Sequence, residues 1–349
     1  MAHAIETIEG AGADRRAAEI AFHYVWSGDR ERARAWSERA AAQSMRSGAF
    51  SETADHLRNA VGAARDDDPD LGLLLLALGD AETLADADAA APTLARAVDW
   101  FRARGETVRA ASALRLLGQA HARRERHADA RIAFETALAM LRAGADRERI
   151  ETLVALGALL TASLHDYDRA LAALEEGMTL AAAAGDPGLM ARTRRAVGNL
   201  RVRQGKLREG IALLETALAL AEEMDDSVEA AECCGCLAPA WFWLGELERS
   251  AAITLRRLDH AERTRDPYQL RHVFTWLAIC SGIRGRIDEA HRWVEQADRQ
   301  VSTYVSPEPA AFLDFVRGAL ASVHEDHERA RDLLESAIGR FRAIGPGAL

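Results

Sequence analysis

"RQGKLREGIALLETAL", residues 203–218, sets a Gly-Lys pair in front of an alanine- and leucine-rich run. Such a pair belongs either to a phosphate-binding loop or to a turn between two helices. A phosphate loop needs G-x-x-x-x-G-K-[ST] behind a strand, so that backbone amides and the lysine can cradle the anion. Here Leu207 follows Lys206, Gly198 lies seven residues before Gly205, and no strand pattern precedes them. The segment also recurs along the chain, which makes it a turn.

The recurrence has a period of forty. Ala90, Ala130, Ala170, Gly210, Ser250, Ala290 and Ala330 stand forty apart, each near the start of an apolar-periodic run. Twelve residues earlier come Gly118, Ala158, Gly198, Ala238, Ala278 and Gly318, all small. Seven residues after the anchor come Ala97, Ala137, Gly177, Ala217, Ala297 and Ala337, and only Arg257 breaks that series. Four after the anchor the residues are bulky (Leu94, Phe134, Leu174, Leu214, Val294, Leu334), with Thr254 the exception. Small residues let two helices approach closely while a large apolar partner fills the space beside them. Gly205, Gly245 and Gly285 sit five residues before the anchor, where a helix end needs a left-handed residue. Asp146, Asp186, Asp226, Asp266 and Ser306 read as N-caps, with Pro187, Pro267 and Pro307 at the first helical position.

Small residues at relative positions 8, 20 and 27, glycine at 15 and an apolar residue at 17 resemble the tetratricopeptide repeat, whose usual period is 34 residues. The resemblance covers residues 106–344 as six copies and 70–105 more loosely. It implies an all-α superhelix, a tetratricopeptide solenoid of about eight helix-turn-helix repeats. The expected organisation is 1–69 as divergent helices, 70–105 as a degenerate repeat and 106–349 as six regular repeats.

Composition agrees with helices: 49% of residues are hydrophobic but only 6% aromatic, and alanine and leucine favour helix over sheet. The net charge of −10 comes with no basic run, which argues against direct nucleic-acid contact. Lys206 is the only lysine, so arginine carries the positive charge. The N-terminus has no basic-then-apolar leader pattern, and "LGLLLLALG" (71–79) is too short to span a bilayer. The expectation is a cytoplasmic chain without membrane contact.

Residues 16–61 resemble the stretch that begins the tetratricopeptide arm of large bacterial signalling ATPases, among them LuxR-type transcriptional regulators and class III adenylate cyclases. Walker motifs are absent. The resemblance therefore implies a sensor arm, cut from a larger protein or encoded separately, with an ATPase or effector domain as a covalently linked partner. The final helix is expected to expose Leu333, Leu334, Ile338 and Phe341 for a further helix or a partner to cover.

Catalytic and metal constellations are weak. Cys233, Cys234 and Cys236 lie close together within one helix without a second ligand pair, which favours core packing over zinc. The histidines form no ligand-spaced motif, no nucleophile–base arrangement stands out, and "RDDDPD" (65–70) lacks the glycine and distal glutamate of a calcium loop. No enzyme, cofactor or metal site is expected. In tetratricopeptide arrays the concave groove is lined by helix A at positions 2, 5, 9, 12 and 13. That resemblance selects Arg115, Gln119 and Arg123 in one repeat, Arg192, Arg195, Asn199 and Arg203 two repeats on, then Trp243 toward an aromatic end, where Trp276 is a second candidate anchor. Arg195 and Asn199 fit the first part of a carboxylate clamp, but Cys236 stands where its second Asn would be. The expected partner is a protein or peptide segment with acidic and apolar residues, because arginine pairs carboxylates in a bidentate way and tryptophan anchors interfaces. The competing reading has these arginines salt-bridging to neighbouring acids. A free-standing peptide-sensing regulator, similar to peptide pheromone receptors of forty-residue tetratricopeptide units, is the alternative function.

Overall fold

The computed structural model describes residues 1–85, 87–141, 146–264, 267–300 and 307–344. Among them are α-helices, one short 3-10 segment at Gly10–Arg16, and no strand. Two compact units divide the chain, residues 1–148 and 149–349. The first holds α1 (Ala2–Glu9), α2 (Ala17–Ser27), α3 (Arg30–Arg46), α4 (Phe50–Ala63), α5 (Leu71–Ala85), α6 (Ala87–Ala103), α7 (Thr107–Arg123) and α8 (His127–Met140). The division falls inside α9 (Asp146–Ala162). The second continues with α10 (Tyr167–Ala184), α11 (Pro187–Arg203), α12 (Leu207–Glu223), α13 (Ser227–Trp243), α14 (Leu247–Thr264), α15 (Pro267–Ile283), α16 (Ile287–Arg299), α17 (Pro307–Val323) and α18 (His327–Ile344). From α3 on, each odd-numbered helix packs against the even-numbered helix after it, giving eight pairs. The first helices also touch one another, α5 with α7, α11 with α13 and α15 with α17, so within each unit they share a layer. This is an all-α solenoid of the tetratricopeptide type.

The turn inside each pair is the same hydrogen-bonded device, repeated. The amides of Arg126, Lys206, Glu246, Arg286 and Asp326 bond back to the carbonyls of His121, Arg201, Trp241, Ser281 and Ala321 at 2.9–3.0 Å. That bond requires a left-handed residue one position earlier. Gly205, Gly245 and Gly285 take it with φ of 77°, 80° and 73°. Glu125, His165 and Glu325 occupy the corresponding place in other repeats, also at positive φ. The turn therefore forms even where glycine is absent, at a local cost of about 1 kcal/mol. Asp186 caps α11 through the amides of Gly188 and Leu189, and Asp226 caps α13 through that of Glu229. The caps expected at Asp266 and Ser306 lie outside the described residues.

Packing follows the small–large rule. A Cβ on Gly118 would stand 2.5 Å from the Phe134 ring, one on Gly198 2.8 Å from Leu214, and one on Gly318 2.8 Å from Leu334. At Gly210 the obstacle is backbone: its Cβ would meet the Gly198 carbonyl oxygen at 2.7 Å. In the α9–α10 pair the close approach falls on Gly157, against Leu174, and not on Ala158 as expected. The smaller residue wins the contact by a one-position shift along the helix. In the first unit, the acidic run at 65–70 is gripped by Arg34 of α3, which pairs with Asp68 and Asp70. The expectation for the last helix needs a correction. Phe341 is buried, edge-on to Phe312 with ring centroids 5.0 Å apart, and Leu333 and Leu334 are half-buried. Only Ile338 of that group is exposed. Among the described residues no helix is long and apolar enough to cross a membrane.

Gly210→Val would drive two methyls into backbone atoms of α11 that cannot rotate away. Overpacking of this kind costs about 1–3 kcal/mol or more. Urea unfolding should show the loss. An unchanged midpoint would mean that α11 and α12 are not held by this contact.

Candidate binding face of the first helices

The first helices of each unit carry the selected residues. In the first, Arg115 of α7 pairs with Glu148, Nε to Oε1 at 2.7 Å, and Ser112 donates to the other oxygen of the same carboxylate. Gln119 is half-buried one turn further on, and Arg123 is exposed at the helix end.

In the second unit, Arg192 lies between Glu151 (3.4 Å) and Asp226 (3.9 Å). Arg195 is more deeply engaged. Its Nε and Nη2 reach both oxygens of Glu229 at 2.6 and 3.3 Å, and Nη1 lies 3.9 Å from Glu232. The two main partners are only 19% and 6% exposed. Burial works against the Arg195 charge, but the charges of Glu229 and Glu232 outweigh it and raise the pKa further above the usual range. A buried bidentate pair of this kind holds neighbouring first helices in register, and removing one partner would strand a charge. Arg203, at the end of α11, is half-buried and has no ion pair among the described residues. Asn199 is half-buried beside it.

The aromatic end separates into two kinds of tryptophan. Trp243 stands 50% exposed at the last turn of α13. Trp276 is packed: its ring edge meets Phe242 at 5.4 Å between centroids, and its indole N–H donates to Ser250 Oγ at 3.2 Å. Ile283 and Val323 occupy the place of Trp243 in the next two repeats and are 55% and 58% exposed. Arg203, Trp243, Ile283 and Val323 thus form one row at a single relative position, forty residues apart.

The two exceptions to the sequence ruler meet at α14. Thr254 is buried and donates back to the Ser250 carbonyl. Arg257 passes its guanidinium over Gly235 of α13, where an added Cβ would lie 2.9 Å from the guanidinium carbon. Its Nη2 donates to Gln269 Oε1, while Gln269 Nε2 donates to Glu232. Nothing in sequence reasoning put Arg257 or Gln269 in the face; the break in the small-residue series was the available signal.

Cys233, Cys234 and Cys280 are buried and Cys236 half-buried, and burial pushes the Cys234 thiol up to about 12. They are packing residues. A histidine pair went unforeseen: His291 of α16 and His324, in the turn before α18, bring their Nε2 atoms to 3.0 Å. Among the described residues no group of three or more His, Cys, Asp and Glu could hold a metal ion.

No family profile matches the chain, and no curated protein matches it. Solved structures do. A Rap protein complexed with competence and sporulation factor superposes on 98% of this chain and 95% of its own, with a TM-score of 0.60 at 13% identity. The Rap conjugation gene regulator of plasmid pLS20, in complex with the Phr* peptide, covers 94% and 95% with a TM-score of 0.62 at 12% identity. Aspartyl phosphate phosphatase F from Bacillus subtilis covers 88% and 94% with a TM-score of 0.56 at 13% identity.

His272 gives this face a pH signature. Burial first, then the charges of Arg257 and Arg271, lower its pKa from 6.5 to about 3. The folded chain keeps the imidazole neutral, whereas the unfolded chain takes up a proton below the usual histidine value. The contribution to stability is complete above pH 6.5 and is lost as pH falls toward 3. Substituting His272→Gln should flatten the dependence of the urea midpoint across that window. An identical slope in both proteins would place the sensitivity elsewhere. At the likeness found, these comparisons establish the fold and no more, a helical array of the tetratricopeptide type shared along nearly the whole chain.

Proposed function

We propose that this chain is a non-catalytic peptide- or protein-binding regulator, and that its ligand lies along the first helices of the second unit. The carrying observation is the row Arg203–Trp243–Ile283–Val323, three large apolar residues half exposed at equivalent positions of successive repeats, continued by a half-buried arginine. Isolated exposed apolar residues are ordinary, but a periodic row facing one way is a docking surface. Helices in one layer lie about 8–10 Å apart, and an extended chain advances about 3.3 Å per residue. An extended segment would therefore meet this row with every third residue, apolar at three steps and acidic at the Arg203 end. Asn199 stands ready for its backbone, Arg192 and Arg195 border it, and Trp276 backs Phe242 from behind. Arg115, Gln119 and Arg123 would form a comparable surface on the first unit. That one of the similar structures is in complex with the Phr* peptide and another with competence and sporulation factor supports the same reading.

The regulator context is a cytoplasmic one in which an ATPase or effector is linked to this arm, with the free-standing peptide sensor as the alternative. The likeness to Rap regulators over nearly the whole chain favours the second. An upstream continuation of the reading frame into a Walker motif would decide for the first.

Short random peptides displayed on phage and selected on the purified chain test the ligand assignment. Selected sequences should carry apolar residues three apart. Trp243→Ala should weaken a selected peptide by about tenfold or more, as expected of an interface anchor. Equal affinity for both proteins would remove the row from the binding surface.

A further inference from the structure

In two repeats, one in each unit, an arginine at relative position 5 of a first helix is answered by a carboxylate on the next first helix. Arg115 meets Glu148, and Arg195 meets Glu229. Position 5 of the following repeat is Gly235, which has no side chain to offer. The guanidinium there arrives from the second helix, as Arg257, through the gap that the missing Cβ leaves. Its acceptor is Gln269, forty residues after Glu229 and therefore at the same relative place, but an amide and not a carboxylate. A neutral amide thus stands forty residues on from Glu229, and it accepts a single bond from Arg257 Nη2.

The result is an arginine with no carboxylate within ion-pairing distance among the described residues. Its Nε–H is buried without an acceptor. Pro239, four residues after Gly235, has no N–H to give the Gly235 carbonyl, so the backbone beside the guanidinium is electronegative but uncharged. Glu232 is already shared by Gln269 and Arg195. His272 stays neutral and brings no charge of its own.

We propose that Arg257 is an anion-binding residue of the first-helix face, and that a carboxylate of the bound segment supplies the negative charge that Gln269 lacks. A planar, always-charged guanidinium on a half-buried side chain suits a carboxylate or another oxyanion. The natural occupant rests on the peptide reading above; the anion site itself does not.

Inorganic sulfate is the first probe, titrated calorimetrically at constant ionic strength with chloride as the control anion. Wild type should bind it saturably. Arg257→Ala restores the small residue that other repeats carry at this place, so the fold should be retained, and sulfate binding should fall by about tenfold or more. Gly235→Ala pushes the guanidinium out of its gap and should have the same effect, while Arg208→Ala on exposed α12 should have none. Absence of saturable binding by wild type, or equal binding by Arg257→Ala, overturns the site. The second probe is the displayed peptide library, selected in parallel on wild type and Arg257→Ala. An acidic residue at a fixed place should be enriched on wild type alone. The same acidic preference on both proteins overturns the assignment to Arg257. Sulfate bound through Arg257 with no peptide selected keeps the anion site and removes the peptide reading.

Discussion

The array depends on a side chain that is not there. At Gly210 a Cβ would stand 2.7 Å from the carbonyl oxygen of Gly198, so the two helices of that pair touch backbone to backbone. Such an approach excludes water and fixes the helices along their lengths, because sliding by one residue brings a side chain into the gap. Leu214 then closes over Gly198. Equivalent contacts at Gly118–Phe134 and Gly318–Leu334 set the same spacing elsewhere. Once each pair is fixed, the outward residues of the first helices fall in line, and a row such as Trp243, Ile283 and Val323 becomes possible.

Much of this was legible in the sequence because a repeat states its physics several times. One glycine near a helix end is ambiguous, but Gly205, Gly245 and Gly285 at equal intervals are a turn. The same reasoning understated the turn at Glu125, His165 and Glu325, where residues with side chains adopt positive φ. There the hydrogen bond from the following amide and the packing of both helices outweigh the local strain. Gly157 displaced Ala158 for a related reason: a periodic ruler gives the place of a contact to within one residue, and the smallest side chain nearby takes it. Phe341 departs from the expected open face because it packs back onto Phe312 of α17.

The site was legible in outline only. Relative position identifies which residues face the shared layer, but it says nothing about whether they are already occupied. Arg195 and Arg115 face that layer and are bound to neighbouring carboxylates, and Trp276 is joined to Ser250 and Phe242. Trp243 differs in being half exposed and Arg203 in having no ion pair among the described residues, which depends on neighbours from other helices and not on their own spacing. Arg257 could not be reached by the position rule at all, since it belongs to a second helix and arrives through Gly235.

Charge pairing therefore does two things on this face. Between neighbouring repeats, an arginine and a carboxylate on adjacent first helices tie the layer together and remove each other from recognition. Where one member is replaced by a neutral group, the tie becomes a hydrogen bond and the remaining charge is left for something else to neutralise. The substitution of an amide for a carboxylate at residue 269 is small in shape and large in electrostatics, since a half-buried charge is screened far less than a surface one. Specificity in such an array follows from the places where the repeat is imperfect. Arg257 breaks the small-residue series, and it does so where Gly235 leaves room for its guanidinium and Gln269 accepts from it.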